Sequence, residues 1–141
     1  MLRLELVTLD GTKFSEEVYE VQLPTTEGQI GVFTNHSPLV CLAATGVVTV
    51  RRKESDADVL QEHFAINGGV IEIADNRVRV LVDEADDEDS INEAEAQKAF
   101  DRAKELKREA TDQVSLDKAQ ALLDRQATRL HVAGLRRHKR R

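Results

Sequence analysis

Histidine and cysteine are the side chains best suited to catalysis in this chain, and neither lies in a recognisable catalytic arrangement. His36 stands in the stretch Asn35-His36-Ser37-Pro38, where no acid or nucleophile lies at a spacing that would make it a general base. Cys41 lies in an apolar run, which favours a buried small side chain. The sequence contains no phosphate-binding glycine loop, nucleophile elbow or H-E-x-x-H zinc motif. We therefore expect no catalytic residues, and a turn histidine that packs between strands or contacts a partner.

Acidic residues are concentrated in residues 83–89, where six of seven side chains are Asp or Glu. A calcium loop needs alternating acids and a glycine at its sixth position, and this run has neither. One cysteine and four scattered histidines also leave little material for a transition-metal site. We therefore expect no metal and no cofactor, and we interpret residues 85–89 as a solvated linker between two domains.

Basic residues dominate the other end of the chain, where seven Lys and Arg side chains and no acid lie from Arg125 to Arg141. The net charge is −11 over residues 1–90 and +5 over residues 91–141, which together give −6 and indicate two structural units. A basic segment can bind nucleic acid, but with a pI near 5.3 and an aromatic content of 4% an acidic protein surface is at least as good a partner. An acidic adaptor whose basic helix binds nucleic acid or acidic proteins is one function that these residues allow.

Residues 1–84 have the apolar period of two that is typical of β-strands. Short apolar runs recur at regular spacing, beginning with Leu2, Leu4 and Leu6. Residues 28–50 carry no formal charge over 23 positions, but a polar turn at their centre favours the strands of a soluble protein over a membrane span. We expect an all-β sandwich or barrel. Tight turns are predicted at three dipeptides: Asp10-Gly11, Asp75-Asn76 and, as a strong hairpin signal, Asn67-Gly68.

The apolar period changes to 3.6 from Ser90 onward, which predicts helices. Ser90 and Glu93 form a capping-box pattern, and Ser115 can cap a second helix after a break at residues 111–114. Two helices with so short a connection run antiparallel, so we expect residues 90–141 to form a hairpin. Its apolar stripes are rich in alanine and bury little area. They comprise Ala96, Ala99, Phe100, Ala103, Leu106 and Ala110, then Leu116, Ala119, Leu123, Ala127, Leu130 and Ala133.

Two glycine-containing motifs, at residues 27–39 and 65–72, include Gly28, Gly31, Gly68 and Gly69. Together they resemble the epsilon subunit of bacterial F-type ATP synthases. Residues 27–39 read EGQIGVFTNHSPL and match the E-G-x-x-G-x-x-x-x-H-x-P-L segment of that family. Residues 65–72 read AINGGVIE and are similar to its second motif, in which two glycines lie between apolar residues and a glutamate follows. The likeness continues through the helical half to about residue 133, so it covers nearly the whole chain.

The resemblance implies an α+β fold with segregated domains: a β-sandwich of about ten short strands over residues 1–84, then the two-helix hairpin. It also implies a non-catalytic rotor subunit whose sandwich binds the gamma subunit and the ring of c subunits, coupling proton-driven rotation to ATP synthesis. The hairpin would reach the alpha and beta subunits and inhibit ATP hydrolysis. Such a protein lies at the cytoplasmic face of the bacterial plasma membrane, held there only through the complex, and nucleic acid is not among its partners.

The resemblance also assigns two contact regions. The rotor contact would lie in the uncharged stretch around residues 28–39, for which a core strand is an equally good interpretation. It would use Gln29, Ile30, Val32 and His36. The contact with acidic segments of the beta subunits would use arginines of the second helix, namely Arg125, Arg129, Arg136 and Arg137.

Several members of this family bind ATP between the two helices through an Ile/Leu-Asp-x-x-Arg-Ala motif. In the matching residues 91–96, Asn92 replaces the aspartate and Glu95 replaces the arginine. Arg102, Arg125 and Arg129 stand at positions that resemble the other basic contacts. Because a glutamate beside a polyphosphate is repelled by it, we predict that this chain does not bind ATP.

Overall fold

The computed structural model describes the backbone of residues 1–139 and the side chains of residues 1–137, and it separates a β half from an α half. Within those residues, the expected fold class is confirmed: eight strands precede a pair of helices. A 3-10 turn, Asp58–Leu60, lies in the longest loop. The elements are β1 (Leu2–Thr8), β2 (Gly11–Val18), β3 (Glu20–Thr25), β4 (Gly28–Val32), β5 (Leu39–Arg51), β6 (Glu62–Ala74), β7 (Arg77–Leu81), β8 (Ala85–Asp87), α1 (Glu93–Glu109) and α2 (Gln113–Lys139).

Strands β5 and β6 are each 13 residues long and take part in both layers of the sandwich. The sheet runs β2-β1-β7-β6-β5-β3-β4, and β8 pairs with β6 off this path. Residues 70–74 of β6 pair with β7, whereas residues 64–66 pair with β8. Because the two halves of β6 have different neighbours, the sheet folds over along β5 and β6 and encloses one core. The described residues form eight continuous strands. If β5 and β6, which take part in both layers, are each counted twice, the number becomes the ten that the resemblance implies.

Glycines allow the bend in β6. The pairing of β5 with β6 skips Gly68. Gly68 and Gly69 have φ angles of 73° and 133°, in the region that favours glycine. A Cβ atom on Gly69 would also collide with the carbonyl oxygen of Leu81. The hairpin predicted at Asn67-Gly68 is therefore wrong, because the chain bends there and continues as one strand.

Two tight turns occur where the sequence predicts them. Strands β1 and β2 are joined by Leu9 and Asp10, within one residue of the predicted Asp10-Gly11, and Gly11 pairs with Thr8 as the first residue of β2. Strands β6 and β7 are joined by Asp75 and Asn76, whose φ angles of 52° and 60° fit a type I′ hairpin turn. The alternation predicted for the first strand is also confirmed, since its inward face is fully buried at Leu2, Leu4 and Leu6.

The acidic segment 83–89 differs from the solvated linker that its composition predicts. Ala85–Asp87 forms β8, and the buried Ala85 joins the sandwich core. Glu88 is only 9% exposed, and its carboxylate accepts a hydrogen bond of 3.0 Å from the backbone N–H of His63. Several acids of the segment are thus tied to the sandwich, which extends to Glu88.

Both helices begin with a cap other than the predicted serine. The side-chain oxygen of Asn92 accepts a bond of 3.1 Å from the N–H of Glu95, so Asn92 caps α1. The hydroxyl of Ser90, the predicted cap, donates to β8 instead. At α2, the carboxylate of Asp112 accepts a bond of 2.7 Å from the N–H of Ser115. This bond lowers the pKa of Asp112, as expected for an acid that caps a helix.

The hairpin packs on the sandwich through a second, smaller apolar cluster. Its buried members are Ala65, Ile91, Ala96, Val132 and Ala133, with Val47 and Leu130 at its edge. Of the predicted stripes, the alanines at 96, 103, 119 and 133 are buried, whereas Leu106 and Ala127 are exposed. The stripes are only partly buried because two helices alone leave the end away from the sandwich uncovered.

Candidate functional site

An exposed apolar patch covers the outer side of the sandwich at the start of β5. Val40 is 72% exposed and Leu42 59%, and as alternate residues of one strand they lie on the same face. Leu39 and Phe33 are further exposed apolar residues of the same uncharged stretch. We call these four residues the β5 patch. Exposed apolar side chains grouped in this way are typical of a protein contact surface.

The loop beside the β5 patch is fastened to the neighbouring turn. Asn35 adopts a φ of 66°, and its N–H donates to the side-chain oxygen of Asn76 over 2.5 Å. The amide group of Asn76 donates back to the side-chain oxygen of Asn35 over 3.3 Å. Because Asn76 belongs to the β6–β7 turn, the loop that follows Phe33 is held to a rigid hairpin. The edge of the patch is therefore fixed in place.

The predicted rotor-contact residues are divided by the structure. Val32 is fully buried in the core, so its assignment as a contact residue is wrong: as a core side chain it holds β4 in place. Ile30 is half-buried and packs against the same core. Gln29 is exposed and bonds to Gln22 of β3 over 3.0 Å. His36 is half-buried, and its Nδ1 lies 2.6 Å from the carbonyl oxygen of Ser37.

Two members of the β5 patch, Val40 and Leu42, lie beyond the stretch of residues 28–39 in which the rotor contact was predicted. Their signal was present, since residues 39–42 are apolar at four successive positions. A strand with one buried face needs an apolar residue only at every second position. Cys41, the expected buried thiol, is half-buried and packs against the core, which leaves Val40 and Leu42 to face outward.

The arginines of α2 are engaged inside the chain. Arg125 forms an ion pair with Glu84, and the Nε of Arg129 lies 3.4 Å from the Oδ2 of Asp86. Glu84 directly precedes β8, and Asp86 belongs to it. Arg140 and Arg141 belong to the same predicted basic segment and lie outside the described residues.

The other two predicted arginines lie nearer the end of α2. Arg137 pairs with Glu93 of α1, with 3.2 Å between Nη2 and Oε1. Arg136 is half-buried and lines a cavity of about 670 Å³ together with Glu88 of the sandwich. All four predicted arginines therefore face acids or acid-lined space of this chain in the described conformation.

The residues at the family's nucleotide-binding positions are exposed, act as a helix cap or face carboxylates in the described conformation. Asn92 uses its side-chain oxygen as the cap of α1, and Glu95 and Arg102 are exposed. Arg125 and Arg129 line a cavity of about 270 Å³. The other charged residues of that cavity are three acids and one lysine, Asp10, Glu84, Asp86 and Lys13. Carboxylates thus equal cations in number, and a triphosphate would be repelled as much as attracted.

We predict that titration of the purified chain with sub-millimolar ATP gives no heat of binding. The carboxylates around Arg125 and Arg129, and the acid at Glu95, oppose the triphosphate. The variant Asn92→Asp with Glu95→Arg restores the ATP motif of the family and serves as the control that should gain affinity. Saturable binding to the unsubstituted chain would contradict the prediction.

Comparison with known protein families covers both halves of the chain. Residues 1–88 match the model described as "ATP synthase, Delta/Epsilon chain, beta-sandwich domain", and residues 89–134 match "ATP synthase, Delta/Epsilon chain, long alpha-helix domain". The chain belongs to the ATP synthase delta/epsilon family. The resemblance seen in the sequence is thereby confirmed.

Relatives within the delta/epsilon family match over nearly their full length. The ATP synthase epsilon chain of Herpetosiphon aurantiacus is 33% identical over 138 residues, 98% of each chain. Epsilon chain 2 of Syntrophotalea carbinolica is 40% identical over 134 residues, 94% of each chain. Both alignments span the sandwich and the hairpin.

Solved structures share the fold of this delta/epsilon family member. A chain of the Euglena gracilis mitochondrial ATP synthase (OSCP/F1/c-ring) matches with a TM-score of 0.78 and 22% identity, covering 95% of this chain and 81% of that one. A chain from the central stalk/c-ring of the Tetrahymena thermophila enzyme matches with a TM-score of 0.59 and 12% identity, covering 92% and 96%. Within residues 1–139, neither helix has the length and apolar character needed to cross a membrane.

Proposed function

We propose that this chain is a non-catalytic central-stalk subunit of an F-type ATP synthase, which couples proton-driven rotation to ATP synthesis. The observation that carries the proposal is the match of both family domains, in the family order, across residues 1–134. Named relatives of the same length support it. Catalysis would belong to the alpha and beta subunits, and the chain would lie at the cytoplasmic face of the bacterial plasma membrane through the complex alone.

The β5 patch is the part of the sandwich that best fits attachment to the rotor. Four exposed apolar side chains lie in a stretch of 23 residues without formal charge. Burial of such side chains against the gamma subunit or the c ring would supply most of the contact free energy. Gln29 and His36 lie in the same uncharged stretch and would add polar contacts.

The hairpin is the part that fits a brake on ATP hydrolysis. Its arginines at 125, 129, 136 and 137 would contact acidic segments of the beta subunits. In the described conformation they face acids of this chain, so the hairpin must leave the sandwich before it can act. The apolar cluster beneath it and the ion pairs at its edge oppose this movement, although each partly exposed pair contributes less than about 1 kcal/mol.

Purification of the tagged chain from its own cells, after nuclease treatment, tests the proposed function. We expect the gamma, alpha and beta subunits to co-purify in a fixed ratio, together with ATP hydrolysis activity. The adaptor hypothesis predicts instead a salt-sensitive complex with nucleic acid or with unrelated proteins. Recovery of the chain without any ATP synthase subunit would refute the proposed function.

A further inference from the structure

The end of the sandwich at β8 presents two carboxylates to helix α2. Alternate residues of a strand point to opposite faces, so Ala85 enters the core while Asp86 of β8 lies on the outer face. Glu84, which directly precedes β8, contacts α2 on the same side as Asp86. Arg125 and Arg129 are four residues apart and therefore lie on one face of α2. Each arginine pairs with one acid, Arg125 with Glu84 and Arg129 with Asp86.

The spacing of the two acids matches the spacing of the two arginines. Two residues along a strand advance about 6.6 Å, and four residues along an α-helix advance about 6 Å. Both ion pairs can therefore form at once without distortion of either element. The side chains are also partly shielded from water, with exposures that range from 24% for Arg129 to 49% for Glu84. The two ion pairs therefore join the sandwich and α2 at matching spacings.

The anchoring of β8 gives these acids a fixed position. The strand pairs with residues 64–66 of β6, and the buried Glu88 just beyond it accepts the backbone bond from His63. Glu84 and Asp86 are therefore held at a set separation by the sandwich, whichever way the hairpin moves. An acidic partner that approaches α2 has to compete with carboxylates that are already in place.

We propose that Arg125 and Arg129 recognise two carboxylates about 6 Å apart, and that Glu84 and Asp86 occupy this site until an acidic partner segment displaces them. The proposal rests on the proposed function, because it names the chemistry of the segment that the hairpin contacts. The partner binds only the fraction of chains in which the site is vacant, so the internal acids lower its apparent affinity. Acids four residues apart on a partner helix have the required spacing.

Calorimetry with synthetic peptides tests this on the full chain. One helical peptide carries glutamates four residues apart, and a second of the same composition carries them on opposite faces. The variant Glu84→Gln with Asp86→Asn removes the charge of the internal competitor and keeps the shape of both side chains. We expect the first peptide to bind this variant about tenfold more tightly than the unsubstituted chain. The second peptide is expected to bind neither.

Two further variants serve as controls. Asp83→Asn with Glu54→Gln removes the same charge at exposed positions outside the two ion pairs, and should leave peptide affinity unchanged. Arg125→Gln with Arg129→Gln, added to the neutralised variant, should abolish binding. Should the double neutralisation lower the melting temperature, Asp86→Asn alone is measured in the same way, with an expected gain of about threefold.

The outcomes separate this proposal from the proposed function. Equal affinity of the neutralised variant and the unsubstituted chain would overturn the role of the internal acids. Equal binding of the two peptides would overturn recognition by spacing. Neither measurement involves another ATP synthase subunit. A chain that fails to co-purify with the complex could therefore still show the predicted peptide binding, and a chain that co-purifies could fail to show it.

Discussion

Complexes in which Val40→Asp and Leu42→Asp are combined should lose most of this subunit. Both side chains are exposed in the isolated chain, so the substitutions leave its fold intact. Burial of each apolar side chain at an interface is worth about 1.5 kcal/mol or more, and a carboxylate buried in its place adds a further penalty. We expect affinity for the rotor to fall by about a hundredfold or more, measured as the fraction of the subunit retained on the purified complex.

A matched control lies on the same sandwich. Val59 and Leu60 of the 3-10 turn are 53% and 60% exposed, and Val59→Asp with Leu60→Asp makes the same chemical change away from the β5 patch. This control should leave assembly and proton-driven synthesis at the level of the unsubstituted complex. If both variants assemble equally well, the β5 patch is not the rotor contact.

Removal of residues 90–141 should raise the rate of ATP hydrolysis by the assembled complex. The truncated chain retains β8 and Glu88, so its sandwich core is complete. If the braked state holds between half and nine-tenths of the complexes, its loss raises hydrolysis about two- to tenfold. The steady-state ATPase rate of purified complexes measures this directly, with subunit content checked on the same sample.

Charge reversal in the full-length chain shows which part of the hairpin acts. Arg125→Glu with Arg129→Glu should raise hydrolysis in part, because a partner that is acidic would now be repelled. Lys98→Glu with Lys118→Glu makes the same change in net charge at exposed helix positions and should have little effect. An unchanged rate after truncation would exclude a brake in the hairpin, and equal effects of the two reversals would exclude a specific role for Arg125 and Arg129.

Short sequence patterns predicted the elements of this fold correctly wherever the pattern is compatible with only one local structure. The alternation of Leu2, Leu4 and Leu6 specifies a strand with one buried face, and two left-handed residues at Asp75 and Asn76 specify a hairpin turn. The Asn67-Gly68 signal failed because a glycine in the left-handed region can reverse a chain or bend it. The outcome depends on the long pairing of β5 with β6, which no short window of sequence contains.

The candidate sites were harder to predict because they depend on distant partners. Residues 83–89 look solvated from composition alone, yet their acids meet arginines some 40 positions later in the chain. Val32 could not be told from a surface residue until the opposite layer covered it. The cap of α1 moved from Ser90 to Asn92 because two capping side chains lie two residues apart, and β8 engages the first.

Strand β5 runs through both layers of the sandwich and therefore connects the β5 patch to the surface on which the hairpin packs. Val40 and Leu42 lie in its first half, and Val47, which packs against the cluster beneath the hairpin, lies about 17 Å further along the same strand. A force applied to the patch would therefore reach the seat of the hairpin along a single strand, without crossing a loop. If the patch is the rotor contact, torque on it would also load the apolar cluster that holds the hairpin.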